Sequence, residues 1–161
     1  MAELESKKML LNIFRGMANS PAVLDGYLKL SGALKEGKLD PKTREAIALA
    51  IAQCNDTGYC LAAHTVLGKN AGLDEAAIRD ARLGKSADRK TNAAIALAKQ
   101  IAGNKGKISD ADASTARAAG LDDGDIAEVV ANVVLNLFTN YFNNLNQTDV
   151  DFPKVPVELG T

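Results

Sequence analysis

The sequence predicts an all-α protein, and three features lead to that prediction. Hydrophobic residues make up 47% of the 161 residues and aromatic residues only 4%, so the core must consist mainly of Ala, Leu, Ile and Val. Ala and Leu lead the helix-propensity order. Runs of β-branched residues bounded by turn dipeptides, which are typical of strands, are missing. At this length we expect one domain over residues 1–161.

The first three helices are predicted from apolar spacing and from proline-containing start signals. Apolar residues at helical spacing form one stripe between Leu4 and Ala18. Ser20-Pro21 and Asp40-Pro41 are each typical of an N-cap followed by proline at the first helical position. The second helix is expected to run to Gly37 and the third to about Gln53. The third is apolar on nearly every side, which predicts a buried helix.

Turn and capping residues divide the rest of the chain into five further helices. Asn55-Asp56 is a turn sequence, and Thr57 is placed to cap the fourth helix. Glycines then end several of the helices. The expected ranges are Thr57 to about Ala71, Asp74 to Arg82, Arg89 to Ala102, Ser109 to Ala118, and about Asp123 to Leu145. Pro153 and Pro156 predict an extended C-terminal tail.

The charge balance excludes several classes of partner. The formal net charge is -1, with 19 basic and 20 acidic residues spread along the chain, so we expect neither nucleic acid nor a membrane surface as a partner. No run approaches the roughly 18 apolar residues of a membrane span. The first residues do not form a secretory signal. We therefore expect a cytoplasmic protein whose two cysteines are reduced, catalytic or inert.

One segment recurs within the chain. Residues 42–50 read Lys-Thr-Arg-Glu-Ala-Ile-Ala-Leu-Ala, and residues 90–98 repeat seven of these nine positions at an offset of 48. Ala93 replaces Glu45 in the second copy, and no Cys or His follows it. The match is consistent with an old helical duplication or with coincidence between alanine-rich helices. If the match is a duplication, only the first copy retains candidate catalytic residues.

The chemistry-bearing residues lie in one stretch, Thr43 to Gly68. It holds Cys54, Cys60 and His64, which are all the Cys and His of the chain, together with Glu45 in an otherwise apolar helix. A thiol is activated by a helix N-terminus and a nearby imidazole, which lower its pKa. Cys60 is predicted in the first helical turn, with His64 one turn later on the same face. Glu45 is positioned to orient the imidazole, which gives a nucleophile, base and orienting group.

Two other interpretations of these residues stay open at this point. Each Cys or His alone is more often a buried structural residue than a catalytic one. A metal site is disfavoured, because Cys54 and Cys60 are spaced more widely than a usual ligand pair and no second pair completes a tetrahedron. Cys54, at the end of its helix, is either inert or a resolving thiol. On these grounds we expect no metal and no cofactor.

The spacing of these residues resembles the signature of the AhpD-like, or carboxymuconolactone decarboxylase-like, family. That signature is a glutamate, eleven residues, Cys-x-x-Cys, three residues and a histidine, and Glu45, Cys60 and His64 stand at the required spacings. The similarity extends from about Leu39 to Pro153, with its core motif at residues 39–72. The resemblance implies an orthogonal bundle of about eight helices and a thiol-dependent alkylhydroperoxidase, an antioxidant oxidoreductase.

The chain departs from the family pattern at Thr57, which occupies the position of the first cysteine. The resemblance therefore assigns the peroxide-reacting cysteine to Cys60 and its proton relay to His64 and Glu45, but it supplies no resolving cysteine. Three outcomes are open: an external thiol or thiol protein reduces Cys60, Cys54 resolves it, or peroxidase activity is lost. For a peroxidase, the thiolate attacks the peroxide and becomes a sulfenic acid. The chemistry predicts rapid labelling of Cys60 by thiol reagents below neutral pH.

Two further classes of function are alternatives to the peroxidase. A carboxymuconolactone decarboxylase-like enzyme would use His64 and Glu45 as acid and base and would need a cationic clamp. Arg44 is the only Lys or Arg inside the central stretch, and its helix position next to Glu45 directs it to another face. A non-catalytic scaffold is the third class. The final helix is rich in Asn and aromatic residues, which favours a homo-oligomer, and the resemblance implies trimers or hexamers.

Overall fold

The computed structural model describes residues 10–160, and this part of the chain consists of eight α-helices joined by turns. The all-α prediction is confirmed, since residues 10–160 contain no strand. The helices are α1 (Asn12–Met17), α2 (Pro21–Lys35), α3 (Pro41–Cys54), α4 (Gly58–Ala71), α5 (Glu75–Arg82), α6 (Arg89–Gly103), α7 (Asp110–Ala118) and α8 (Asp123–Asn146).

Side-chain caps explain why most helix starts were predictable. The side chains of five N-cap residues accept a hydrogen bond from the backbone N–H three residues on. These residues are Asp40, Asp74, Asp88, Ser109 and Asp122. Ser20 and Thr57 also occupy N-cap positions, but neither side chain bonds the helix. The expected capping by Thr57 is thus wrong, because its hydroxyl donates to the carbonyl oxygen of Asn55 instead (3.3 Å).

The first helix is shorter than its apolar stripe predicted. Residues 4–9 of that prediction lie outside the described range, and α1 starts only at Asn12. The Asn12 backbone N–H donates to Asp151 Oδ2 (2.8 Å), and its side-chain amide donates to the Asp149 carbonyl oxygen (3.1 Å). The polar groups at the start of this helix therefore bond the C-terminal tail. The spacing of apolar residues carries no information about a contact between segments so far apart in the sequence.

Helix α3 is the centre of the larger hydrophobic core. Every residue from Ala46 to Ala52 is buried, as an all-round apolar helix predicts. It packs against α4, α5, α6 and α8. The cluster around it contains Ile47, Leu49 and Ile51 together with apolar side chains of α6 and α8. Because other helices enclose the middle of α3, its polar residues lie near the two ends of the helix.

A second cluster, formed by α1, α2, α4 and the C-terminal tail, contains Cys60. The tail is held in several places. The Tyr59 hydroxyl donates to Asp151 Oδ2 (2.6 Å), and the Gln53 side-chain amide donates to the Val157 carbonyl oxygen (2.9 Å). Arg82 donates to the carbonyl oxygens of Pro156 (2.6 Å) and Val157 (3.0 Å). These bonds hold the tail over the start of α4.

The two copies of the internal repeat lie against each other. They form parts of α3 and α6, which pack together. Thr43 and Thr91, which are equivalent in the repeat, are buried and their hydroxyl oxygens lie 2.8 Å apart. Since the Thr43 hydroxyl donates to Asp40 Oδ2 (2.7 Å), the Thr91 hydroxyl is the donor between the two. The repeat therefore marks a real contact in the core.

Among the helices of residues 10–160, none combines the length and the hydropathy that crossing a membrane requires.

We expect Thr91→Val to lower the free energy of unfolding by about 1 kcal/mol, because it removes one buried hydrogen bond and leaves the apolar volume nearly unchanged. Urea denaturation measures the difference. Thr115→Val is the matched control, since the Thr115 hydroxyl is exposed and donates to its own helix at Ala111. Equal loss of stability in the two variants would contradict a special contribution of the Thr43–Thr91 contact.

Candidate active site

Glu45 and His64 form a hydrogen-bonded pair between α3 and α4. Glu45 lies in the first turns of α3, just before the enclosed segment, and His64 lies in the middle of α4. His64 Nδ1 and Glu45 Oε2 are 2.7 Å apart, and the two side chains are 19% and 20% exposed. The carboxylate fixes the orientation of the imidazole and leaves Nε2 as the nitrogen that can exchange a proton. The pair is accessible enough to meet a small substrate.

Cys60 lies in the first turn of α4, as predicted, and is only 3% exposed. The Asn143 side-chain amide of α8 donates to its sulfur (Nδ2 to Sγ, 3.3 Å). Burial raises the pKa of the Cys60 thiol, and the hydrogen bond from Asn143 together with the nearby polar side chains of Asn140 and Thr139 lowers the pKa by less. In the resting protein at neutral pH, Cys60 is therefore a protonated thiol.

The prediction of a lowered Cys60 pKa is thus wrong for the resting protein. The prediction rested on the helix N-terminus and the imidazole, which both lower the pKa of a thiol. A sequence does not show how strongly burial removes a side chain from water. The structure encloses the sulfur in the second hydrophobic cluster, where the charged form loses its hydration. A helix position alone does not determine the pKa of a thiol, because burial acts in the opposite direction.

Three of the predicted site residues take part in two separate hydrogen bonds. Glu45 bonds His64, and Cys60 bonds Asn143. Cys60 and His64 are four residues apart on one continuous helix, which keeps their side chains on the same face. Cys54 is exposed at the end of α3, and both cysteines are free thiols. The two thiols thus lie in opposite environments.

Two groups near the sulfur were missed as site residues. The first is the set Thr139, Asn140 and Asn143 of α8, all of which are buried. Asparagines recurring in an apolar helix were a signal, but Cys60 lies 80 or more residues away from them in the sequence and could not be identified as their partner. The second is Tyr27 of α2, which packs against the second cluster, to which Cys60 belongs. Burial raises the Tyr27 pKa, and the charges of Cys60 and Glu45 raise it further.

The geometry also bears on the other interpretations. Within residues 10–160, no three side chains of His, Cys, Asp or Glu come together in a way that could hold a metal ion. Arg44 donates to the carbonyl oxygens of Leu34, Lys35 and Leu39, at 3.0–3.1 Å. It therefore stabilises the C-terminal end of α2 and is directed away from Glu45, as its position predicted.

A groove of about 310 Å³ lies beside the site at the N-terminus of α4. Its walls come from the start of α4 and from the end of α8, and Thr57 and Asn143 belong to them. Asn143 thus contacts the sulfur and also lines the groove. Thr57, which replaces the first cysteine of the family signature, therefore lines this groove.

Fold and site together define a small all-helical protein with an acid–base pair one turn from a buried thiol. A model of the carboxymuconolactone decarboxylase family matches residues 21–102, which include Glu45, Cys60 and His64. The chain belongs to this family. No curated protein matches it.

Two solved structures share the fold. One is an uncharacterized peroxidase-related protein from Silicibacter sp. TM1040, with 20% identity, a TM-score of 0.78, and coverage of 91% of this chain and 79% of that chain. The other is the alkylhydroperoxidase AhpD core of an uncharacterized peroxidase-related protein from Ralstonia eutropha JMP134. It has 20% identity and a TM-score of 0.79, and covers 89% of this chain and 78% of that chain. The predicted AhpD-like fold is thereby confirmed.

We expect iodoacetamide to alkylate Cys54 faster than Cys60 at pH 7, because Cys54 is exposed and the raised pKa keeps Cys60 protonated. The Cys60 rate should rise with pH, with a midpoint above the value of about 8.5 for a free thiol. Mass spectrometry of peptides separates the two sites, and a Cys54→Ser variant isolates the Cys60 signal. Rapid alkylation of Cys60 below pH 7 would show that burial does not control its ionisation.

Proposed function

We propose that the protein is a thiol-dependent peroxidase that reduces small hydroperoxides at Cys60, with Glu45 and His64 as its proton relay. The observation that carries this proposal is the Glu45–His64 hydrogen bond, one helical turn from the thiol. The names of the two structural neighbours, both peroxidase-related, also support it. An enclosed sulfur favours small peroxides over bulky ones.

The first step is ionisation of Cys60. Because burial holds the thiol protonated, its proton must pass to a base when the substrate is bound. His64 Nε2 is that base, directly or through one water or peroxide molecule, and the Glu45 carboxylate stabilises the imidazolium that forms. Coupling ionisation to substrate arrival keeps the reactive thiolate at low abundance in the resting protein.

The second step transfers one oxygen atom. The thiolate attacks the terminal oxygen of the hydroperoxide, so an S–O bond forms while the O–O bond breaks. Sulfur is oxidised to a sulfenic acid, and the peroxide is reduced to an alkoxide, or to hydroxide when the substrate is hydrogen peroxide. His64 returns its proton to the leaving oxygen, which departs as an alcohol or water.

The third step restores the thiol with an external reductant. With Thr57 in place of a neighbouring cysteine, an external thiol attacks the sulfenic acid and releases water, and a second thiol then reduces the mixed disulfide. The groove at the start of α4 supports this route, since it is lined by Asn143, whose side chain bonds the Cys60 sulfur. Cys54 is the other candidate for the attacking thiol, and its exposure allows it to react with external thiols as well.

We expect Cys60→Ser to reduce peroxide consumption to the uncatalysed rate, because serine cannot accept the oxygen atom. Cys54→Ser is the matched control and should keep the activity with an external thiol as reductant. Peroxide consumption at steady state, with mass spectrometry of Cys60, measures both. Full activity of Cys60→Ser would contradict the proposal, and loss of turnover in Cys54→Ser would identify Cys54 as the resolving thiol.

An acid–base enzyme of the decarboxylase type is the second candidate, because the Glu45–His64 pair is partly exposed and does not need the sulfur. Against it, Arg44 bonds three backbone carbonyl oxygens and cannot clamp a carboxylated substrate. The variants His64→Asn and Cys60→Ser separate the two candidates. An acid–base enzyme loses its activity in His64→Asn and keeps it in Cys60→Ser.

We also propose that the protein assembles with copies of itself through α8. Exposed apolar side chains follow one stripe of this helix, and they are Val130, Val134, Phe138, Tyr141 and Leu145. No charged residue occurs between Glu128 and Asp149. A charge-free apolar stripe of this length is typical of a contact between subunits. The trimers or hexamers implied by the family resemblance agree with such a contact.

We expect Val134→Asp to shift the protein toward monomer, because it introduces a charge in the middle of the stripe, where Val134 is 54% exposed. Sedimentation velocity at several protein concentrations measures the assembly state. Leu83→Asp is the control, since Leu83 is similarly exposed and lies outside α8. The proposal would be wrong if the unmodified protein were monomeric or if both variants dissociated equally.

A further inference from the structure

Two buried amide atoms near Cys60 have no hydrogen-bond partner. They are Asn140 Nδ2, a donor, and Asn143 Oδ1, an acceptor. Both residues are buried, Asn140 completely. The opposite ends of the two amides are in use, because Asn140 Oδ1 accepts from the Asn55 side chain (3.0 Å) and Asn143 Nδ2 donates to Cys60 Sγ. One spare donor and one spare acceptor are therefore left in the interior.

Buried polar atoms without a hydrogen-bond partner destabilise the folded protein, unless another chemical state of the site supplies the partner. A buried polar atom without a partner costs about 1–3 kcal/mol of folding free energy. Both asparagines lie close to Cys60, because each side chain acts on the ionisation of its sulfur. A neutral thiol offers only a weak donor and a weak acceptor. The group that completes these hydrogen bonds must therefore be more polar than the thiol.

We propose that Asn140 and Asn143 bind the sulfenic acid form of Cys60 and prolong its lifetime. A sulfenic acid adds one oxygen atom that can accept from Asn140 Nδ2 and one O–H that can donate to Asn143 Oδ1. Asn143 Nδ2 keeps its hydrogen bond to the same sulfur. The two spare amide atoms thus match the oxidised cysteine, and Asn143 is a catalytic residue because it touches the reacting sulfur.

This inference rests on the proposed peroxidase function and explains how it can operate with Thr57 at the position of the first cysteine. In a cysteine pair, the second thiol attacks the sulfenic acid at once. Without that partner, the sulfenic acid has to persist until an external thiol arrives, and a second peroxide molecule would otherwise oxidise it to the sulfinic acid. The hydrogen bond in which the sulfenic O–H donates to Asn143 Oδ1 favours the protonated acid over the sulfenate anion, which is the form that reacts with further peroxide.

Several titratable groups surround the sulfur besides the two amides. Tyr27 comes from α2, Tyr59 and His64 from α4, and Glu45 from α3. Helix α8 contributes no charged residue between Glu128 and its end. The two amides and the Thr139 hydroxyl are therefore the polar groups through which α8 acts on Cys60, and removal of an amide can be measured without changing any charge.

The test compares Asn143→Leu with Asn136→Leu after oxidation by one equivalent of hydrogen peroxide without added thiol. Leucine has the same branching at Cγ as asparagine and removes both amide atoms. Asn136 is the matched control because it is also buried in α8, where its side chain donates to its own helix at Asn132. Dimedone trapping at timed intervals, followed by mass spectrometry, reports the sulfenic and sulfinic acid fractions of Cys60.

We expect the sulfenic acid of Asn143→Leu to disappear at least about tenfold faster than that of the unmodified protein, with sulfinic acid in its place, whereas Asn136→Leu does not differ. A factor of ten corresponds to about 1.4 kcal/mol. Alkylation of Cys60 in the reduced Asn143→Leu protein should also need a higher pH, because the thiolate has lost a donor. Equal sulfenic acid lifetimes in all three proteins would overturn the inference.

A second variant covers the case in which Asn143→Leu does not fold, which circular dichroism detects. Asn143→Ala removes both amide atoms without adding bulk, so it should also shorten the sulfenic acid lifetime and raise the pH midpoint of alkylation. The two proposals can also fail separately. If peroxide does not oxidise Cys60 of the unmodified protein, the peroxidase proposal is wrong. If peroxide oxidises Cys60 but the Asn143 variants have the same sulfenic acid lifetime as the unmodified protein, only the proposed role of Asn143 is wrong.

Discussion

The enclosure of α3 is the constraint on which the rest of the structure depends. Four other helices pack around this one helix, and its segment from Ala46 to Ala52 has no exposed side. Small alanines alternate with larger residues there, which lets the neighbouring helices approach closely. A carboxylate is tolerated only at the end of this segment, so Glu45 is located where α3 leaves the core. Its pairing with His64 of α4 follows from that position.

The same enclosure opposes the ionisation of the sulfur. Cys60 begins a helix and precedes a histidine by one turn, yet it faces apolar side chains and the amides of α8. Desolvation outweighs the nearby donors and keeps the thiol neutral. A buried thiol of this kind is protected from adventitious oxidants and depends on neighbouring groups for each change of its protonation state. The arrangement is consistent with chemistry that starts only when a small molecule enters.

The sequence determined the local structure well and the long-range contacts poorly. Helices α2 to α8 lie within two residues of the predicted ranges, because proline, glycine and N-cap residues are local signals. The start of α1 was wrong because Asn12 pairs with a tail almost 140 residues away. In the site, the Glu45–His64 contact followed from spacing and resemblance. Burial of Cys60, and its contact with Asn143, required the packing of α4 against α8 and could not be predicted from spacing.

The contact between Thr43 and Thr91 has a consequence for the history of the chain. In a symmetric pair of identical subunits, residues near the two-fold axis meet their own counterparts. Two equivalent threonines, 48 residues apart, meet in this way inside one chain. The contact agrees with the duplication of a helical unit whose two copies pack against each other. Ala93 stands in the second copy where the first has Glu45, so only the first copy contributes a carboxylate to the site.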